Sequence, residues 1–180
     1  MDPDGKAPYR LATSREVYRN PWIRVREDRV IRPDGSSGLF GVMEGKTGAS
    51  VLALNDLHEV YLIREYKHAV ARHSLEVMSG GLEPGESPLD AARRELKEEA
   101  GLTASEWTEL GMIDPFTTFV NAPNYLFLAR GIQEGEQSPD HGEVLEVVKT
   151  PFSRAVEMVM RGEITHGASC VAILKAARYF

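Results

Sequence analysis

Apolar positions early in the chain recur at strand rather than helix spacing. Trp22, Ile23, Val25, Val30 and Ile31 interleave with charged residues, so the segment from Val17 to Ile31 reads as extended. Pro33-Asp34-Gly35-Ser36-Ser37-Gly38 is a turn signal, and Leu39 to Glu44 returns as a second strand. Two further β-rich runs, Ser50 to Leu54 and Glu59 to Glu65, flank Asn55-Asp56-Leu57-His58, and Ser74 to Met78 is a short strand candidate. Residues 1–14 are polar and read as a loose tail. The period then changes. After a loop at Gly80 to Gly85, Ser87 can cap a helix, Pro88 suits its first position, and Asp90 suits the positive end of its dipole. That helix runs to Ala100 and stops at Gly101. Strands resume at Trp107 to Ile113, Tyr125 to Ala129 and Val144 to Val148, and helices are expected from Ser153 to Met160 and from Ala168 to Tyr179. Early strands with scattered helices give an α+β class.

Composition narrows the function. The 180 residues suit one domain with a small appendage, and the net charge of -6 argues against a dedicated nucleic-acid binder. The N-terminus lacks an apolar signal core and no apolar run reaches membrane-spanning length, so no membrane association is expected and the cytoplasm is the expected location. Cys170, the single cysteine, sits in an apolar run and reads as a buried structural thiol, in keeping with a reducing compartment.

The chemistry concentrates on one helix. At 100° per residue Glu95, Glu98 and Glu99 share a sector, while Leu89, Ala92, Leu96 and Ala100 occupy the neighbouring one and anchor the helix on a core. Carboxylates so placed repel each other by a few tenths of a kcal/mol per pair, about 0.2–0.5 kcal/mol, and a cation reverses that sign. Oxygen-only ligands select a hard ion, so Mg²⁺ is favoured, with Mn²⁺ as an alternative. An isolated E-x-x-E-E stretch would be an ordinary solvated face. Here Gly80, Glu86, Arg94, Glu95, Leu96, Glu98, Glu99, Gly101 and Leu102 together satisfy G-x5-E-x7-R-E-U-x-E-E-x-G-U, with U aliphatic. Chance produces that in fewer than roughly one in a million chains of this length. No Ser/His/Asp or Cys/His signature and no G-x-x-x-x-G-K-[ST] loop is present, so covalent catalysis and an ATPase or kinase reading lack support.

That pattern resembles the Nudix box, and the chain is similar to Nudix hydrolases, which split nucleoside diphosphates linked to another moiety. The resemblance implies an α/β/α sandwich with a mixed β-sheet. It implies that Glu95 and Glu99 bind metal, that Glu98 shares the task and counts as catalytic, and that a backbone carbonyl near Ser79 or Gly80 completes the site. Glu86 and Arg94 would brace the loop through a charge-assisted contact, with Gly80 and Gly101 as structural positions.

From about residue 50 onward the chain resembles the ADP-ribose pyrophosphatase subfamily. Ile63-Arg64-Glu65-Tyr66-Lys67 is similar to its "xRQYR" strand and Ser74 to Gly81 to its "LELPAGGI" segment. Glu143 to Val148 with Phe152 to Ile164 resembles its "EfiEvv…ldEALemirsGeI". The β-rich N-terminal segment resembles its dimerising arm, so residues 1–45 are expected to form a tail and arm and 46–180 the hydrolase domain, and the resemblance implies a homodimer. Departures are Lys67 for Arg, Met78-Ser79 for Pro-Ala, PFTTFVNAPN from Pro115 to Asn124, and His141 within the acidic loop of Asp140, Glu143 and Glu146. They leave the substrate open between ADP-ribose and another nucleotide sugar. Glu143 is the candidate general base or a further metal ligand, with an ordinary loop carboxylate as its plainer reading. Arg64 and Lys67 are candidates for holding phosphates, against surface ion pairing. Trp22 is a candidate for stacking on a nucleobase, against filling a core or interface. A non-catalytic nucleotide sensor on the same fold is the alternative function; such a module would usually have lost part of the box.

Overall fold

The apolar run of strand β4 (Gly48–Leu54) is buried from Ala49 to Leu54 because both of its faces are covered. Ala49, Val51 and Ala53 join one core, and Leu52 and Leu54 join another on the opposite face, as the alternation of a strand requires. This computed structural model describes residues 7–138, 142 and 144–179. They form two compact units, one comprising the N-terminal segment through Lys46 together with Phe116–Ala122, the other Thr47–Pro115 and the chain from Pro123 on. A division at 45/46 follows the chain; the structure also brings Phe116–Ala122 into the first unit, through a short strand paired there.

In the second unit β4 lies beside β5 (Glu59–Lys67), which carries β6 (Arg72–Glu76), and also beside β7 (Met78–Gly81). Helix α1 (Pro88–Ala100) follows, then β8 (Leu102–Ile113). Returning from the first unit, the chain makes β10 (Asn124–Glu134), β11 (Glu146–Pro151), α2 (Phe152–Met160) and α3 (Gly167–Ala176). The sheet order is β11-β5-β4-β10-β8, with β10 parallel to β4 and the other pairings antiparallel, a mixed sheet. Helix α1 packs on one face through Ala91, Ala92, Leu96 and Ala100, and α2 and α3 cover the other through Ala155, Ala168, Ala172 and Ile173. The result is an α/β/α sandwich.

Several elements differ from the local reading. Ser74 to Met78 is two strands, not one: β6 pairs with β5, the chain breaks at Val77, and β7 pairs with β4. Gly80 and Gly81, expected in a loop, belong to β7 because Ala49 and Gly48 stand opposite them in register. The last helix ends at Ala176 and continues as a 3₁₀ turn over Ala177–Tyr179.

The first unit is a four-stranded sheet of β1 (Arg10–Arg19), β2 (Ile23–Ile31), β3 (Ser37–Gly45) and the short β9 (Val120–Asn121), in that order. Residues 10–14, expected as loose tail, are strand, since Arg10 to Arg19 pairs along β2 despite a polar sequence. Ion pairs reinforce the pairing of β2 with β3: Glu44 accepts from both Arg24 and Arg26, at 3.1 and 2.9 Å. Leu11, Val17 and Tyr18 on β1 are exposed, as is Leu39 on β3.

Candidate active site

Helix α1 is set by its own ends. Ser87 Oγ accepts the Asp90 N–H at 3.2 Å, Pro88 opens the first turn, and Gly101 closes the last at φ +67 with its N–H on Lys97 O. A Cβ on Gly101 would also lie 2.8 Å from the backbone of 135–137, so the position excludes any side chain. With the apolar side of α1 fixed on the sheet, Glu98 and Glu99 are half-buried at its margin and Glu95 is buried against β7, at 9% exposure.

Arg94 organises these carboxylates. Its Nε and Nη2 fork Glu86 at 3.0 and 3.1 Å, and Nη2 also reaches Gly81 O at 3.0 Å. Nη1 turns the other way, to Glu95 Oε1 at 2.7 Å and Glu98 Oε2 at 3.0 Å. Glu86 in turn accepts the Glu83 N–H at 2.9 Å, so one guanidinium ties the loop before α1 to the helix. The Glu86 hydrogen bonds, opposed by partial burial and joined by those of Glu98 and Glu95, hold the guanidinium pKa well above its ordinary value. The repulsion read from the glutamate spacing is thereby offset by a cation of the helix itself. Arg94 and Glu98 are i, i+4 partners, a relation visible in the sequence that the loop-bracing role of Arg94 had overshadowed.

Strand β7 supplies the opposite wall. The Ser79 N–H donates to Glu99 Oε2 at 3.1 Å, and Ser79 Oγ donates to Val77 O at 3.2 Å while lying 2.8 Å from Ser50 Oγ. Gly80 has no room for a side chain, since a Cβ there would lie 1.7 Å from Glu95 Oε1. Among the described residues no three His, Cys, Asp or Glu side chains already converge as a cation site. The Glu95, Glu98 and Glu99 carboxylates and the peptide oxygens of β7 are hard oxygen donors of the kind that suits a divalent ion such as Mg²⁺.

Beside Glu99 a narrow cleft is lined by Glu65, Lys67, Glu76 and Ser79, among others. Lys67 pairs closely with Glu65 and more loosely with Glu76, at 3.8 Å. Burial disfavours its charge, but the Glu65 hydrogen bond and the fields of Glu76, Glu65 and Glu99 outweigh that and raise its pKa. Arg64 points elsewhere, pairing with Glu146 at 3.0 Å across β5 and β11. Glu65 and Glu76 were not singled out in the sequence, where an isolated acidic residue in a strand carries no signal of its partner. A larger hollow of about 300 Å³ opens at the start of α1 against Trp107, Tyr125 and Phe127, and it shares no lining residue with the cleft.

Trp22 lies in the first unit, in the turn between β1 and β2 rather than in a strand, and is 71% exposed, which removes the core-filling reading. Glu143 lies outside the described residues, as do Asp140 and His141. The segment leading to them is bound to the end of α1: Ser138 N–H donates to Glu98 O at 3.0 Å and Gly135 N–H to Gly101 O at 2.7 Å.

Comparison with known proteins adds the following. A family model described as NUDIX domain matches residues 45–166, and one described as nucleoside diphosphate sugar hydrolase N-terminal domain matches residues 10–43. The chain is 28% identical over 169 residues to an ADP-ribose pyrophosphatase of Mycobacterium tuberculosis, covering 92% of this chain and 82% of that protein. It is 25% identical over 160 residues to an ADP-ribose pyrophosphatase of Bacillus subtilis, covering 88% and 86%. A crystal structure of an ADP compounds hydrolase superposes with a TM-score of 0.84 at 21% identity, over 96% of this chain and 94% of that one, a likeness of fold.

Proposed function

The chain belongs to the Nudix family and is a pyrophosphohydrolase, and from that premise we propose that its substrate is ADP-ribose or a closely related nucleotide sugar. Cleavage of the diphosphate yields a nucleoside monophosphate and a sugar phosphate. The names of the two similar pyrophosphatases support the substrate, as does the match of the N-terminal segment to the nucleoside diphosphate sugar hydrolase model.

The observation that carries the catalytic reading is the convergence of α1 and β7, with Glu99 against Ser79, Glu95 against Gly80, and Glu98 joined to Glu95 through Arg94. In this reading Glu95, Glu98 and Glu99, with the Ser79 carbonyl, hold Mg²⁺ or Mn²⁺. Such an ion supplies neutralisation of the non-bridging phosphate oxygens and a more acidic water. Arg94 keeps Glu95 and Glu98 oriented and shares their charge. Lys67, already positive beside Glu99, holds a phosphate oxygen, and Arg64 assists after leaving Glu146. Glu143 is the carboxylate that takes the proton from the attacking water, and Glu98 is the other candidate for that role. Trp22, exposed on its turn, stacks on the base. Leu11, Val17, Tyr18 and Leu39 leave the sheet of the first unit with uncovered apolar surface, which supports a homodimer built on that unit.

A panel of nucleoside diphosphate derivatives, incubated with Mg²⁺, with Mn²⁺ or with chelator, tests the proposal by mass-spectrometric identification of products. AMP and ribose 5-phosphate from ADP-ribose, formed only with metal, are expected. Absence of cleavage across the panel, or undiminished cleavage in chelator, refutes it.

A further inference from the structure

His166 occupies the N-cap position of α3, yet its side chain makes no capping bond to the helix backbone. Its Nδ1 lies instead 2.8 Å from Ser169 Oγ and 3.4 Å from Glu76 Oε2. Ser169 is fully buried, and its Oγ accepts the Val77 N–H at 2.9 Å. That bond ties α3 to the break between β6 and β7. With one Ser169 lone pair committed to Val77, its hydroxyl proton is available for His166 Nδ1, which places the proton of the neutral ring on Nε2. A neutral ring in this tautomer offers Glu76 only a lone pair. Glu76 is therefore left to Lys67, whose Nζ lies 3.8 Å from the same Oε2 and whose other partner is Glu65.

We propose that His166 is a positioning residue for Lys67, acting through the Glu76 carboxylate that both side chains face. The proposal rests on the reading of Lys67 as the group that holds a substrate phosphate. While the ring is neutral, Lys67 is held between Glu65 and Glu76 at the mouth of the cleft that Glu99 and Ser79 also line. Protonation places an N–H on Nδ1, aimed at Ser169 and Glu76. Glu76 then pairs with the imidazolium, and Lys67 loses one of the two carboxylates that fix its ammonium group, so it is less firmly placed for a bound phosphate. The charged groups around the ring are Glu76 from β6 and Lys67 from β5. Arg72 is engaged by Thr165 Oγ1 at 2.9 Å, and the Cys170 thiol is turned to Ile164 O. Burial is the largest influence on the ring and lowers its pKa; Glu76 opposes this and Lys67 adds to it. The ring is thus neutral at physiological pH, the state in which Lys67 is held.

The test uses the full chain with ¹⁵N-labelled histidine, and ADP-ribose as the probe. Ring ¹⁵N shifts of the wild type should show the Nε2–H tautomer above the titration. Glu76→Gln should move that titration to lower pH and Lys67→Met to higher pH. In turnover, wild-type KM should rise on going from about pH 7.5 to about pH 5.5, by about threefold more than in His166→Gln, while kcat changes in parallel in the two proteins. Gln retains hydrogen bonding toward Ser169 and Glu76 without titrating, so it separates charge from packing. An Nδ1–H tautomer, a ring titration unmoved by Glu76→Gln, or superimposable KM profiles overturns the proposal. Failure of the wild type to cleave ADP-ribose refutes the functional reading instead, and the ring titration then decides the coupling by itself.

Discussion

Replacing Gly80 by Ala adds one methyl group at the closest approach of β7 to α1. The new Cβ would stand 1.7 Å from Glu95 Oε1 and 2.1 Å from its carboxyl carbon. To reach ordinary contact at 3.4 Å the carboxylate must retreat by about 1.7 Å, far enough to break its 2.7 Å bond to Arg94. A carboxylate at the end of a flexible side chain usually moves cheaply, but Glu95 is buried at 9% exposure and has few directions in which to go. Loss of a hydrogen bond between charged groups costs about 1.5–3 kcal/mol. At roughly 2–4 °C per kcal/mol for a chain of this size, the melting temperature of Gly80→Ala should fall by about 3–12 °C. Turnover should fall by about 10²-fold or more, because displacement of one catalytic group by more than 1 Å suffices for that. The decisive measurement is a double-mutant cycle by chemical denaturation. In a Glu95→Ala background the obstructing carboxylate is absent, so adding Gly80→Ala should cost less than about 0.5 kcal/mol. Equal costs in both backgrounds would refute the reasoning and locate the penalty in the β7 backbone.

Glu99→Gln should preserve the fold, since its side-chain carbonyl can still accept the Ser79 N–H, but should lower turnover by about 10²-fold or more and weaken the stabilisation of the protein by Mg²⁺; a paired titration of melting temperature and rate checks both. Glu143→Gln should lower kcat strongly with little change in substrate affinity, and unchanged kcat in steady-state assays would move the proton-accepting role to Glu98. Because the folded pKa of His166 lies below the unfolded value near 6.5, the unfolded chain binds the proton more readily, and stability drops as pH falls through about 6.5. His166→Gln should lose less stability over that window in denaturation curves at successive pH values. Sedimentation at nanomolar concentration should show a dimer, and a monomer with full activity would exclude a role for the first unit in assembly.

Much of the site was legible before any tertiary information because its determinants are local. Ser87, Pro88 and Gly101 bound α1 by rules of cap and dihedral angle, and i, i+3, i+4 spacing alone aligns Glu95, Glu98 and Glu99. The pattern from Gly80 to Leu102 identified the family for the same reason, being a contiguous run whose members meet within one loop and one helix. Other features are set by pairing between distant segments. The polar stretch Arg10 to Arg19 is a strand only because β2 offers it a ladder, and Val77 is a break only because β5 and β4 compete for the residues on either side. Gly80 needs to be glycine because a side chain fifteen positions later packs against it. His166, at the start of α3, meets Glu76 and Lys67 of the neighbouring strands β6 and β5 from far along the chain, and no periodicity encodes that meeting. Local propensity and spacing therefore determined which residues share the face of α1 and set Arg94 beside Glu98, while the pairing of β7 with β4 beneath α1 decided that Ser79 and Gly80 meet Glu99 and Glu95, and the packing of α3 on the other side brought His166 to Glu76.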